Sequence, residues 1–188
     1  MVVSQHHFTP SGGFLHFYRT RVKILIKNIG CKNISAFQTA LSSKNGTSEF
    51  LNFSGMHKTQ NSFCTILAAE KVGTVKFQVM QIKTTTLDEF CDKHKIFPTV
   101  IKMDIEGSEY NVISGGLRIL KLHKPSIIME IWGKGYNEHH LKAAELLLSI
   151  GYNSYRIDPT GGLMPIPIEY ISEFKRLAVD NIVFLKNE

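Results

Sequence analysis

The sequence has few of the features that mark several common protein classes. Its three cysteines, Cys31, Cys64 and Cys91, are odd in number and widely spaced, which fits neither a zinc site nor a disulfide framework. Its longest apolar stretches, such as Ile127 to Trp132, fall far short of the ~18 to 20 residues that a membrane-spanning helix needs. We therefore expect no bound metal, no membrane span and a reducing, cytoplasmic location.

Acidic residues are absent before Glu49, so the charge is uneven along the chain. Six of the 22 basic residues lie in this first stretch, and the remaining 16 balance the 16 acidic residues. A nucleic-acid-binding face would need basic side chains gathered over the folded surface, so we expect no nucleic-acid partner. We interpret residues 1–33 as a basic segment with a surface helix. A weak transit-type peptide and the position of the chain start are alternative explanations of the charge.

The residues that are present suffice for one globular domain, since 188 residues with 43% hydrophobic content can bury a sizeable core. The apolar residues of 14–29 recur every three or four positions, which predicts a helix. Residues 34–41 alternate and lead through the turn residues Ser43 to Gly46 into 47–53, which predicts a hairpin of two strands. Alternation over 75–79 predicts another strand.

A capping box begins the second half of the chain. In this motif the Thr86 hydroxyl accepts the amide N–H of Glu89, and the Glu89 carboxylate accepts the amide N–H of Thr86. The pattern predicts a short helix that ends near His94.

Buried strands alternate with helices after this point. Val100 to Ile105 and Pro125 to Trp132 are short, mostly apolar runs, typical of central parallel strands. Each leads into a predicted helix, one after Gly107 and one over 137–150. This order predicts a parallel α/β sheet. The tail has two further strand patterns, which we interpret as an antiparallel closing pair: Tyr152 to Ile157 and Asn181 to Leu185.

Two carboxylates lie where ligands bind in such sheets, at the carboxyl ends of the strands. Asp104 and Glu130 occupy these ends. A carboxylate on a buried strand is costly unless it meets partners or solvent, which favours a functional role for Asp104. Glu106 and Glu109 begin the next helix, and we interpret Glu109 as an acid that stabilises the first helical turn.

Four motifs then identify a family: TLDEF, IKMDIEGSEYNVISGG, PSIIMEIW and NIVFL. In this order they resemble the signature of the FkbM methyltransferases. That signature has a Thr-Leu-Asp opening, a Lys-x-Asp-x-Glu-Gly-x-Glu strand-to-helix turn, a strand ending in Glu and a closing Asn-hydrophobic strand. The most specific part is 86–132. With the upstream segment NIGCKNISAFQTALSSKNG, the resemblance covers about residues 28–186.

The resemblance implies a class I methyltransferase fold, a Rossmann-like α/β domain over residues 34–188 with an antiparallel C-terminal strand. Such an enzyme binds S-adenosylmethionine and transfers its methyl group, here to a hydroxyl oxygen of a small molecule or glycan. The predicted substrate-side loop over 54–74 has no motif that identifies the acceptor. By similarity Asp104 contacts the cofactor or orients the acceptor, and Glu130 is the second catalytic candidate.

The resemblance also places Ala40 and Leu41 at the cofactor. His139 and His140 are remote catalytic alternatives, because a histidine pair at the start of a helix more often lies on the surface.

The sequence departs from the family at its start. It has no glycine-rich loop of the Asp-x-Gly-Ala-Asn type, and Thr9 stands where a ribose-binding Glu is expected. We therefore expect a sheet that lacks the first glycine-loop strand, and weak or no binding of S-adenosylmethionine. The open flank of strand 99–105 predicts self-association unless residues 1–8 or another chain cover it. An inactive methyltransferase-fold fragment that serves as an interaction module is the alternative function.

Overall fold

The computed structural model describes residues 2–4, 35, 37, 39–53, 77–105, 107–132, 137–173 and 179–186. These residues form a mixed α/β structure with one six-stranded and one three-stranded sheet. The helix predicted over 14–29, the loop predicted over 54–74 and the boundary predicted at 33–34 lie outside the described residues.

The elements follow one another in an order that alternates strands and helices through the second half of the chain. They are β1 (Val2–Ser4), β2 (Ala40–Leu41), β3 (Gly46–Phe53), β4 (Phe77–Thr85), α1 (Leu87–His94), β5 (Val100–Asp104), α2 (Glu109–Ser114), α3 (Leu117–His123), β6 (Ser126–Trp132), α4 (Asn137–Ser149), β7 (Tyr152–Ile157), β8 (Leu163–Pro165), α5 (Ile168–Ser172) and β9 (Val179–Lys186).

The larger sheet has the strand order β1-β5-β6-β9-β7-β8. Strands β5 and β6 are parallel neighbours, with Val100 opposite Ser126 and Met103 opposite Met129, which confirms the predicted pair. The predicted antiparallel tail is also confirmed, since β9 pairs in this sense with both β6 and β7. The sequence did not indicate β8, because its residues are all exposed and show no apolar alternation.

Strand β1 covers the flank of β5 that the sequence left without a predicted neighbour. It runs parallel to β5, with Val2 opposite Lys102 and Ser4 opposite Asp104. Residues from 1–8 therefore cover this flank, as was expected if no other chain does so. This pairing uses backbone groups that would otherwise offer a template to another chain. Self-association itself stays a prediction.

The hairpin predicted for 34–41 and 47–53 is wrong in its pairing. Strands β2 and β3 lie on opposite edges of β4, in the order β2-β4-β3. Ala40 and Gly46 both pair with Thr84, the first in a parallel and the second in an antiparallel ladder. The turn residues between them carry the chain around the end of β4. Turn chemistry predicted the reversal, but it could not show that a third strand lies between the two arms.

One face of the larger sheet carries the core. Ile101, Met103, Ile127 and Met129 alternate along β5 and β6, and each is 0% exposed. They join one cluster with apolar residues of the five described helices, including Leu87, Ile113, Leu120, Leu147 and Ile171. Each such side chain stabilises the fold by about 1.5–3 kcal/mol relative to an exposed one. The residues between them, among them Asp104 and Glu130, are half-buried on the other face.

The helix predicted after Gly107 is divided into α2 and α3 at Gly115 and Gly116. A Cβ atom on Gly115 would overlap the backbone carbonyl of Ser42, and one on Gly116 would overlap the side chain of Leu87. The chain therefore packs too closely at this point for any larger residue. Two adjacent glycines, which are poor helix formers, thus interrupt the helical periodicity that predicted one continuous helix.

The capping box at Thr86 is confirmed in one half and wrong in the other. The Thr86 hydroxyl accepts the amide N–H of Glu89 at 3.1 Å, as predicted. The amide N–H of Thr86 instead donates to Oδ1 of Asn45 at 3.0 Å, and the Asn45 side-chain nitrogen donates to the Glu89 carboxylate. A residue from the turn before β3 thus completes the cap, which no local pattern could predict.

Candidate functional site

Asp104 is the last residue of β5 and is half-buried. Its neighbours on the buried face, Ile101 and Met103, are both 0% exposed, which confirms their predicted burial. The strand therefore fixes the Asp104 backbone within the sheet while its side chain points to the half-buried face. The predicted crevice around its carboxylate stays a prediction.

The prediction that Glu130 ends its strand is wrong, because β6 continues for two residues to Trp132. Its carboxylate Oε2 accepts a hydrogen bond from the indole Nε1 of Trp132 at 3.0 Å. Both side chains lie on the same face of the strand, since residues two apart share a face. The extra two residues therefore supply a donor that orients the Glu130 carboxylate.

The strand register brings Asp104 and Glu130 together. Met103 pairs with Met129, so the next residues along the two parallel strands are Asp104 and Glu130. Neighbouring strands lie ~4.8 Å apart, and side chains in the same register position share a face. The two carboxylates predicted as catalytic thus occupy adjacent positions on one face near the carboxyl ends of their strands.

Asn181 extends this polar row and was not predicted as a site residue. On β9 it lies directly opposite Glu130. Its side-chain Oδ1 is buried and accepts no hydrogen bond from the described part of the chain. The Asn of NIVFL was part of the quoted motif, but its role depends on a register that the sequence does not give. We refer to Asp104, Glu130 and Asn181 as the polar row.

Leu41, predicted at the cofactor, lines an open groove of about 350 Å³. Ala40, predicted beside it, is only 8% exposed and pairs with Thr84. The groove lies between the start of α2 and the β2–β3 region, and its walls are mostly polar: Ser42, Lys44, Thr47, Ser48, Glu49, Ser108 and Asn111. Neither Asp104 nor Glu130 is among these lining residues.

A tight turn joins Asp104 to helix α2. The amide N–H of Ser108 donates to the carbonyl of Ile105 at 3.3 Å, which closes a four-residue turn. Gly107, its third residue, has a φ of 90°, and no atom lies within 4 Å of where its Cβ would be. Backbone conformation therefore requires the glycine, as a positive φ at this turn position does.

Two buried polar side chains stand behind this turn. Glu109 is 1% exposed, and its carboxylate Oε1 accepts the amide N–H of Ile105 at 3.2 Å. Its other oxygen lies 3.5 Å from Nδ1 of His140, which is also 1% exposed. The surface position expected for the histidine pair is therefore wrong for His140, whereas His139 is half-buried. The interpretation of Glu109 as a first-turn acid missed its burial, although its spacing from Ile105 permits the contact.

Burial lowers the pKa of His140 to about 4, and the neighbouring His139 acts in the same direction. Both causes disfavour the protonated form of the ring. The ring is therefore uncharged at neutral pH, and its contact with Glu109 is not an ion pair of two full charges.

Within the described ranges, no helix combines the length and apolar character needed to cross a bilayer. The same part of the chain contains no group of three or more His, Cys, Asp or Glu residues that could hold a metal ion.

A sheet whose parallel strands carry carboxylates near their carboxyl ends defines an α/β protein with a candidate ligand site at that position. The family model described as the methyltransferase FkbM domain matches residues 6–154, which include Asp104, Glu130, Glu109 and His140. The chain belongs to the FkbM methyltransferase family, and the resemblance read from its motifs is confirmed. No curated protein and no solved structure matches the chain.

Proposed function

We propose that this chain is an S-adenosylmethionine-dependent methyltransferase that methylates a hydroxyl oxygen of a small molecule or glycan. The observation that carries this proposal is the register of β5 and β6, which places Asp104 beside Glu130 near the carboxyl ends of parallel strands. Ligands of open α/β sheets bind at these ends. Membership of the family supplies the reaction type.

The proposed fold is the class I methyltransferase sheet. Its support is the parallel run β1-β5-β6, followed by β9, which is antiparallel and lies between β6 and β7 although it comes last in the chain. A late strand inserted in this way gives the antiparallel C-terminal element that the resemblance implies. Strand β1 runs parallel to β5 on the flank where the sequence predicted no strand.

The residues of the polar row fit a cationic cofactor. S-adenosylmethionine carries a sulfonium and an ammonium group, and Asp104, Glu130 and the buried Oδ1 of Asn181 are acceptors. Hydrogen bonds between an ammonium group and a carboxylate are stronger than those between neutral groups. We assign the polar row to the methionine end of the cofactor, next to the methyl group, and we assign Ala40 and Leu41 to the other end of the cofactor, beside the groove. The cofactor supplies an electrophilic methyl group.

Asp104 has the chemistry of a base for the acceptor hydroxyl. A carboxylate within hydrogen-bond reach of a hydroxyl orients one oxygen lone pair and takes up the proton as the oxygen is methylated. Methyl transfer is an in-line displacement, so the alignment held by a rigid strand contributes strongly to the rate. Glu130, held by the Trp132 indole, adds a second negative charge next to Asp104.

An inactive methyltransferase-fold interaction module is the second candidate. It is favoured by one observation, the lack of an Asp-x-Gly-Ala-Asn loop in the sequence. Such a protein would keep the sheet and the polar row but would transfer no methyl group.

Transfer of a radiolabelled methyl group to a panel of hydroxyl-bearing small molecules and glycans separates the two candidates. The assay uses millimolar S-adenosylmethionine, because we expect weak binding. The Asp104→Asn variant should lose about 100-fold or more in kcat/KM, the usual share of a general base, and Glu130→Gln should lose less. The matched control is Glu145→Gln, an exposed carboxylate on α4, which should behave as wild type. Equal activity of Asp104→Asn and wild type would refute the assigned role.

A further inference from the structure

Glu109 connects two parts of the fold that meet behind Asp104. Its Oε1 accepts the amide N–H of Ile105, the residue that directly follows Asp104, at 3.2 Å. Its Oε2 lies 3.5 Å from Nδ1 of His140 on α4. Both side chains are 1% exposed. A side chain of α2 thus lies between helix α4 and the end of strand β5, hydrogen-bonded to the strand and packed against His140 of the helix.

The hydrogen bond from Ile105 to Glu109 is the second of two that hold the backbone where it leaves β5. The turn from Ile105 to Ser108 already has its own backbone hydrogen bond of 3.3 Å, with Gly107 in the positive-φ conformation. The turn uses the carbonyl of Ile105, and the Glu109 carboxylate accepts the backbone N–H of the same residue. Glu109 therefore holds the N–H of the peptide unit between Asp104 and Ile105, while the turn hydrogen bond holds the carbonyl of the next peptide unit.

A buried carboxylate is a costly way to obtain one hydrogen bond. Removing a carboxyl group from water is unfavourable unless its oxygens gain partners, and an apolar side chain would stabilise a helix–helix contact at lower cost. Helices α2 and α4 pack against each other around this pair. The buried Glu109–His140 pair between these helices therefore fits a need to orient the Ile105 backbone rather than a need for added stability.

We propose that Glu109 is a positioning residue for Asp104, and that packing against His140 of helix α4 restricts the orientation of the Glu109 side chain. This role rests on the proposed function, in which the Asp104 carboxylate must be aligned with the acceptor hydroxyl. Glu109 touches neither reacting atom. It acts through the Asp104–Ile105 peptide unit, whose direction sets where the Asp104 side chain leaves the strand.

Three variants and one control test the proposal. Glu109→Ala removes the acceptor of the Ile105 amide, Glu109→Asp keeps the charge but shortens the reach, and Glu109→Gln keeps an oxygen that accepts the same hydrogen bond. The control is Ser154→Ala, which removes a side-chain hydrogen bond to the Ile166 carbonyl at a residue 5% exposed on β7. This control removes a buried side-chain hydrogen bond at a position away from the turn at Ile105.

Hydrogen exchange of the Ile105 amide, followed by NMR, reports on the contact without any need for activity. Exchange should accelerate about 10-fold or more in Glu109→Ala and Glu109→Asp, and should stay near the wild-type rate in Glu109→Gln and Ser154→Ala. If Glu109→Ala does not fold, Glu109→Asp decides. Unchanged Ile105 exchange in the folded variants would overturn the proposal.

Kinetics separate positioning from a merely structural role. Glu109→Ala and Glu109→Asp should lower kcat about 10- to 100-fold per folded molecule, with KM for S-adenosylmethionine within about 2-fold, because misplacement of a catalytic group slows the reaction itself. Glu109→Gln should restore kcat. Wild-type kcat in a folded Glu109→Asp would overturn the role. Absence of transfer by the wild type would instead refute the proposed function, while Ile105 exchange would still report whether Glu109 holds the turn.

Discussion

Asp88 on α1 holds the start of α3 through the backbone of Ile119. Its carboxylate accepts the amide N–H of Ile119 at 2.9 Å and that of Arg118 at 3.2 Å. These are amides at the N-terminus of a helix, which have no partner within the helix. The Asp of the Thr-Leu-Asp motif is therefore a helix cap supplied by another helix.

Replacement of Asp88 should consequently affect stability and not catalysis. Loss of a side-chain cap costs about 0.5–2 kcal/mol, so Asp88→Ala should unfold at lower denaturant concentration by that amount. The control is Asp92→Ala, because Asp92 pairs with Arg118 at an exposed position where ion pairs contribute about 0–1 kcal/mol. Denaturation followed by circular dichroism measures both. A smaller loss in Asp88→Ala than in Asp92→Ala would contradict the capping role.

A second prediction concerns Gly115. An added Cβ would overlap the backbone of Ser42, which cannot rotate away as a side chain can. Gly115→Ala should therefore destabilise the fold by about 1–3 kcal/mol, the usual cost of overpacking. Ser114→Ala is the adjacent control, since the Ser114 hydroxyl is buried with no hydrogen-bond partner in the described part of the chain. It should be neutral or stabilising, and a neutral Gly115→Ala in thermal unfolding would contradict the close contact.

The sequence predicted most of the second half of the fold, because each signal there was local. The alternating burial of β5 and β6 and the Thr86 side-chain cap are properties of a few consecutive residues. The errors arose where a distant partner decided the outcome. Strand β4 separates β2 from β3, and Asn45 completes the Thr86 cap.

The same distinction applies to the candidate site. Asp104 and Glu130 could be selected from sequence, since a carboxylate on an apolar strand is conspicuous. Asn181 could not, because its relation to Glu130 depends on β9 pairing with β6 across about 50 residues of chain. His140 has no local signal for burial, which depends on how α4 packs against the rest of the fold, including α2.

Acid should destabilise the protein through His140. The pKa of His140 is about 4 in the folded chain and 6.5 when the ring is exposed in the unfolded chain. Between these two pH values the unfolded chain binds a proton that the folded chain does not. Stability therefore falls as the pH is lowered from about 7 to 4, by about 3 kcal/mol at the lower end. Glu109 on α2 and the adjacent His139 are the titratable groups that face it.

Urea unfolding between pH 4 and 7 measures this effect, with His140→Gln as the comparison. The variant should lose part of the slope of stability against pH, because it carries no ring to protonate. An unchanged slope in His140→Gln, or greater stability of the wild type at pH 5 than at pH 7, would show that the folded state keeps the proton and that Glu109 outweighs burial.

Calorimetric titration tests the expected weakness of cofactor binding. Because the sequence lacks the family's glycine-rich loop, S-adenosylmethionine should bind the 188-residue chain with a Kd well above 1 μM. The binding free energy should therefore be smaller in magnitude than about 8 kcal/mol. Micromolar or tighter binding would mean that other residues of the chain rebuild that part of the site.

The most direct measurement of the central claim is an NMR titration of the isotope-labelled chain with S-adenosylmethionine up to millimolar concentration, which detects weak binding residue by residue. The proposed site predicts that the largest shifts of backbone amide signals occur at Asp104, Glu130 and Asn181, with a second group at Ala40 and Leu41. Shifts confined to other strands, or no shifts at millimolar cofactor, would contradict the assignment of the polar row as the place of methyl transfer.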